Sequence, residues 1–301
     1  MRFCSDSYKD TWWDAAKMVG LDSHDEEGED SSWLLNTPIA HRGFHSGDAG
    51  CPENSIKAFK SAIQKGFAIE LDVRLLADNN LAVFHDNNLK RMTGIDRDIR
   101  SCDSSIVKKG RLFNSEEYIP LLEEVLDIVQ GKVPLLIELK NGGRIGKPEK
   151  ALFDTMEDYD GKYAVQSFNP YSLHWFRNNA PDIVRGQVFG YNRGENLIYN
   201  ARFFLKNFLF NRASRFNFIN YDIRWLPIWG INTIKEKGIP VVGWTARSIP
   251  EYQRAGKWCD NVVFEGFDPS WPVDKESIIF QQKPVDLNSR FMIHEVPQPT
   301  H

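Results

Sequence analysis

Two short motifs carry ionisable side chains in positions where a β-strand would present them on one face. In Ile69-Glu70-Leu71-Asp72-Val73, strand alternation sets Glu70 and Asp72 on one side while Ile69, Leu71 and Val73 point to the other. The run from Leu135 to Lys140 pairs Glu138 with Lys140 by the same period. Carboxylates are seldom buried without partners, and acids crowded together raise one another's pKa. A hard divalent cation resolves that conflict: carboxylate oxygens and waters suit Mg2+ or Ca2+, and no nearby thiolate favours zinc. A salt-bridge network with Arg42, Arg74 and Lys140 is the competing explanation, and it suits an isolated Glu-x-Asp. The third acid, Glu138, and two histidines at neighbouring strand ends favour the metal site.

Those histidines are His41, in His41-Arg42-Gly43, and His85, in Val83-Phe84-His85-Asp86. An ordinary imidazole, with a pKa of about 6.5, gives and takes protons near neutral pH. A pair on opposite sides of a phosphorus atom would act as base and acid in turn. His24, His45, His174, His294 and His301 lack such company and read as structural or exposed.

The elements that must position these groups alternate between β-rich runs and helical stripes. Nine strand candidates are legible: Pro38–Arg42, Phe67–Arg74, Leu81–Asp86, Val133–Lys140, Tyr163–Phe168, Val184–Phe189, Phe216–Asp222, Pro240–Ala246 and Asn261–Gly266. The second and third are joined only by Leu75–Asn80, too short for a crossover helix, so they form a hairpin. Eight parallel strands remain. That is the number of a TIM (β/α)8 barrel, here with a short β-hairpin insertion after the second strand. Helix punctuation agrees. Asn54 or Ser55 caps a helix with Ile56, Phe59, Ala62 and Ile63 on one face, stopped by Gly66. Pro120 fits the first turn of a helix striped by Leu122, Val125, Leu126 and Val129, and Ser248-Ile-Pro-Glu251 reads as a capping box. In such a barrel the C-terminal strand ends carry the active site, which is where the acids and histidines fall.

The barrel is expected over residues 37–280, after an N-terminal extension (1–36) with an acidic run from His24 to Ser32, and before a polar, Pro-rich tail (281–301). With 37 basic against 41 acidic residues, the chain lacks the basic balance of a nucleic-acid binder. Its four cysteines are scattered without a CxxC pair, and no apolar run reaches signal-peptide or membrane-span length. A cytoplasmic protein with reduced thiols is therefore expected. The aromatic stretch Glu195–Phe210 could touch a membrane, but a barrel helix or dimer contact is the favoured reading. The loop Asn141–Gly146 is glycine-rich without a Walker or Rossmann context, so a phosphate cradle there is a weak reading.

Taken in order, the motifs His41-Arg-Gly, Pro52-Glu-Asn-Ser55, Ile69–Val73, Val83–Asp86, Leu89-x-Arg91-x-Thr93-Gly94, Ile137–Lys140, Gln166-Ser-Phe168, Tyr221-Asp222 and Gly243-Trp-Thr-Ala-Arg247 resemble the glycerophosphodiester phosphodiesterase family. The likeness runs from Ile39 to Gly266, about three-quarters of the chain. It implies that Glu70, Asp72 and Glu138 hold the divalent metal and that His41 and His85 are the acid/base pair. Arg42 and Lys140 would bind phosphate, Glu53 and Asn54 support the pocket, and Trp244 line the glycerol side. The implied reaction releases an alcohol and glycerol 3-phosphate from a small glycerophosphodiester, through a cyclic phosphate. A lyase that stops at the cyclic phosphate, and a binding protein without turnover, are the alternatives. One departure stands out: many relatives end the last strand in Thr-Asp, whereas this chain has Phe264-Glu265, and no role is assigned there.

Overall fold

The computed structural model describes residues 31–190, 215–227 and 231–269. Residues 1–30, the stretch Glu195–Phe210 and the tail 281–301 lie outside the described residues. Nine strands form where expected: β1 (Ile39–Ala40), β2 (Ala68–Leu75), β3 (Leu81–Val83), β4 (Leu135–Leu139), β5 (Tyr163–Ser167), β6 (Arg185–Phe189), β7 (Phe218–Asp222), β8 (Val241–Ala246) and β9 (Asn261–Phe264). β1 pairs in parallel with both β2 and β9, which closes the sheet into a parallel barrel of eight strands. β3 runs antiparallel to β2, with Val73 opposite Val83, and is the arm of the expected hairpin.

Small and branched side chains fill the barrel floor: Ile39, Ala68, Leu136, Ala164, Val242 and Val263, with Phe218 among them. A Cβ on Gly186 would lie 2.1 Å from the Phe218 ring, so the glycine makes the room that this aromatic occupies. The short helix Trp33–Asn36 buries Trp33 and Leu34 against the same layer, and Asn261 Nδ2 donates to the carbonyls of Leu34 and Thr37 at 2.9 and 2.8 Å. The outward faces of the strands pack on helices through Phe59, Leu71, Val125, Ile137, Leu152 and Phe176.

The helix caps follow the sequence with two changes. Ser55 Oγ accepts from Ala58 N at 3.1 Å to start the helix Ile56–Lys65, and Gly66 ends it at φ +69°. Pro120, however, lies ahead of the helix Leu122–Val129: its carbonyl accepts from Val83 N at 2.8 Å, a bond to the hairpin. Ser248 caps Ile249–Ala255 as expected, but Glu251 returns its carboxylate to Arg247 N at 2.8 Å instead of closing a box. The hairpin also begins a longer excursion, from Leu76 to Leu121. Its own buried cluster includes Phe84, Leu89, Met92, Ile99 and Ile119, and it holds His85 at the rim.

Candidate active site

The register of β2 against β4 brings the acids together. Asp72 sits opposite Glu138 and Glu70 opposite Leu136, so strand alternation turns all three carboxylates to the barrel interior. Carboxylate oxygens of Glu70, Asp72 and Glu138 lie within 4.8 Å of one another, and all three residues are buried. Lys140, two positions beyond Glu138, reaches Glu138 Oε1 at 2.6 Å and Asp72 Oδ1 at 3.1 Å. Both are close ion pairs, so a single buried ammonium is shared between two of the three carboxylates. Burial, then the charges of Asp72 and Glu138, push the Glu70 carboxyl well above its ordinary 4.5. Asp72 moves the other way: against burial, the charges of Lys140, His85 and Arg42 hold it well below the usual range. A buried trio of acids, one of which resists ionising, fits a hard divalent cation with oxygen ligands.

Arg42 follows β1 with φ +55°, a left-handed conformation uncommon outside glycine. The turn aims its backbone N–H at Glu70 Oε2, at 3.0 Å, and its guanidinium at Glu53 Oε1, at 2.6 Å, with Nε 3.3 Å from Asp72 Oδ2. Asn54, also left-handed at φ +53°, donates its backbone N–H to the Arg42 carbonyl and its side-chain amide to Asp72 Oδ2. Gly43 completes the turn at φ +79°, where a Cβ would lie 2.9 Å from Ala58. Glu53 stands behind the cleft and joins Arg42 to Arg91.

The two histidines enter from neighbouring segments. His41 Nε2 is 4.0 Å from Glu70 Oε2, and its Nδ1 is 2.7 Å from Glu265 Oε2. Burial and the Arg42 charge lower its pKa to about 4, against the raising effect of Glu265. His85 Nδ1 is 2.8 Å from Asp86 Oδ1, and Asp86 takes Arg91 Nε at 2.6 Å. Arg74 turns away from the acids: its Nε donates to the His85 carbonyl at 2.8 Å and its Nη1 to Asn87 Oδ1 at 2.8 Å, fixing the segment that carries the imidazole. A cleft of about 360 Å³ is lined by His41, His85, Glu70, Glu138, Lys140 and Trp244, among others. Trp244 stacks edge-to-face with Phe168 at 5.7 Å and donates its indole N–H to the Phe189 carbonyl at 3.0 Å.

All ten residues singled out in the sequence therefore meet at or directly behind one cleft. Glu265, Asp86, Arg91 and His45 were not among them. His45, expected to be structural or exposed, is buried with neither ring nitrogen hydrogen-bonded, within 4.8 Å of ligand atoms of His41 and Glu265. In the Asn141–Gly146 loop, Gly146 N and Asn141 Nδ2 donate to the buried Glu149 carboxylate at 2.7 and 2.6 Å, which engages two of the donors that a phosphate cradle there would draw on. Among the described residues no helix is long and apolar enough to cross a membrane.

A profile of the Glycerophosphoryl diester phosphodiesterase family matches residues 41–263. A glycerophosphodiester phosphodiesterase of Caldanaerobacter subterraneus subsp. tengcongensis is 37% identical over 164 residues, covering 50% of this chain and 65% of the relative. One of Bacillus altitudinis is 36% identical over 157 residues, covering 48% and 63%. The matched part of the chain thus spans just under two thirds of these relatives. A phosphodiesterase of Oleispira antarctica, solved in complex with the product sn-glycerol 3-phosphate, superposes with a TM-score of 0.65 at 23% identity, over 81% of this chain and 97% of that one.

Proposed function

The chain belongs to the Glycerophosphoryl diester phosphodiesterase family, and from that premise we propose that it hydrolyses glycerophosphodiesters, with a divalent cation, to an alcohol and glycerol 3-phosphate. The observation that carries this reading is the convergence of Glu70, Asp72 and Glu138 within 4.8 Å, in a cleft that His41 and His85 also line. The three carboxylates would hold Mg2+ or Ca2+, whose charge, when bound, draws electron density from the phosphate oxygens. Arg42 and Lys140 add fixed positive charge beside them, the main electrostatic task when negative charge builds on a phosphoryl group. One imidazole takes the proton of a neighbouring glycerol hydroxyl as that oxygen attacks phosphorus. The other protonates the departing alcohol, and a cyclic phosphate is left. Water then opens the ring while the imidazoles exchange roles. Trp244 and Phe168 offer the apolar wall against which the glycerol carbons would lie. Free thiols at Cys51, Cys102 and Cys259 fit the reducing cytoplasm as the proposed location.

The test is incubation with glycerophosphocholine and Mg2+ or Ca2+, followed by phosphorus NMR. Glycerol 3-phosphate is the expected product. A cyclic phosphate that persists would make the chain a lyase, and unchanged substrate would make it a binding protein. Chelation should abolish turnover and added cation restore it; turnover that survives chelation removes the metal from the scheme.

A further inference from the structure

His41 and His85 reach the cleft from different segments, yet both are held in the same manner. Each has its Nδ1 against a carboxylate oxygen, at 2.7 Å for Glu265 and 2.8 Å for Asp86. An arginine backs each carboxylate: Arg247 Nη2 lies 3.0 Å from Glu265 Oε2, and Arg91 Nε lies 2.6 Å from Asp86 Oδ2. For His85 the partner is the next residue in the chain. For His41 it lies just past the last strand, and strand register brings it there. β1 pairs with β9 so that Ile39 faces Val263 and Ala40 faces Phe264. One step further, His41 N donates to the Phe264 carbonyl at 2.9 Å, and the period of two turns His41 and Glu265 to the same inner face.

We infer that Glu265 is a positioning residue for His41, fixing its ring orientation and tautomer so that Nε2 presents its lone pair to the substrate. The inference rests on the acid/base reading of His41. An ionised carboxylate is an acceptor only, so a neutral imidazole beside it must carry its single hydrogen on Nδ1; the other tautomer would set two lone pairs face to face. Nε2, 4.0 Å from Glu70 Oε2, is thereby left unprotonated on the side of the carboxylate trio. When Nε2 takes a proton from the attacking hydroxyl, the imidazolium that results keeps its Nδ1–H against the Glu265 charge, which stabilises it where it forms. Arg247 is largely exposed and holds Glu265 in place without entering the cleft.

Glu265→Ala should lower kcat about 10- to 100-fold, the scale on which removing the carboxylate that orients a metal-ligating histidine acts, with KM within about threefold. Glu265→Asp should recover part of the loss. In 15N-histidine spectra at neutral pH, His41 should be the Nδ1–H tautomer in the native chain and shift toward Nε2–H in Glu265→Ala. If Glu265→Ala does not fold, Glu265→Gln, which keeps the acceptor and the volume but not the charge, takes its place, with the loss in kcat expected and KM held. Full kcat in a folded variant, or a His41 tautomer left unchanged in Glu265→Ala, would overturn the inference. His41→Ala separates this from a failure of the acid/base reading: unimpaired turnover there removes His41 itself, whereas loss there with full turnover in Glu265→Ala removes only Glu265.

Discussion

Asn54 donates its side-chain amide to Asp72 Oδ2 at 2.9 Å from a backbone held at φ +53°. The bond occupies one carboxylate oxygen and turns the other, Oδ1, toward Glu138 and Lys140. Asparagine tolerates the left-handed conformation better than most residues, and its amide supplies a donor that aspartate at the same position would lack.

Asn54→Ala should therefore act on metal binding ahead of chemistry. We expect the half-saturating cation concentration to rise about 10- to 100-fold, as when groups that orient metal ligands are removed, while kcat at saturating cation stays within a few fold. A titration of activity against Mg2+ or Ca2+ reads both, and an unshifted midpoint would show that Asp72 orients itself.

His41→Ala and His85→Ala should each lower kcat by at least about 100-fold, the usual contribution of a positioned acid or base. Cation binding should persist in both, since neither imidazole is needed for the carboxylate trio. Steady-state kinetics together with calorimetric cation titration make the comparison, and near-normal turnover in either variant would dismiss that histidine from the mechanism.

Most of this arrangement is legible in the amino-acid sequence. The nine strands are readable because each is a β-rich run flanked by turn residues, and Glu70, Asp72 and Glu138 are conspicuous as acids inside otherwise apolar runs. Glu265 gave no such signal. It follows its strand directly, beside a glycine, and its partner lies 224 positions away, so only the closure of β9 on β1 gives it meaning. His45 is likewise buried by tertiary contacts that leave no local pattern. The small core of the 76–121 excursion was missed for a different reason: its turns are three or four residues long, too short for the helical period to show.

Inside the barrel, Gly186→Ala tests the packing of the floor. A Cβ there would meet the Phe218 ring at 2.1 to 2.7 Å, and that ring is fully buried among Leu136, Ala164 and Val242. Overpacking of this kind costs about 1–3 kcal/mol. The urea midpoint should fall accordingly with little change in KM. A variant as stable as the native chain would mean that Phe218 has a second rotamer available.

The acid trio makes a prediction in which the sign is diagnostic. Glu70 is held well above its ordinary 4.5 by burial and by Asp72 and Glu138. A carboxyl with a raised folded pKa binds its proton more tightly folded than unfolded. Its contribution to stability is greatest below about 4.5 and is lost as pH rises through the folded value. In chelator, Glu70→Gln should therefore melt higher than the native chain at pH 8, by roughly 2–4 °C for each 1 kcal/mol of relieved repulsion, and the gap should close toward pH 5. Adding cation should reverse the order. Ligand present at about 100 times Kd stabilises the native chain by about 2.7 kcal/mol, and the glutamine variant, with one charge fewer, should gain less. The amide carbonyl of that variant can still accept from Arg42 N, as Glu70 Oε2 does, so the turn at β1 is not at issue in the comparison. A glutamine variant that melts below the native chain in chelator at pH 8 would mean that Arg42 and Lys140 already neutralise the trio, and that the crowding of these carboxylates is no argument for a cation.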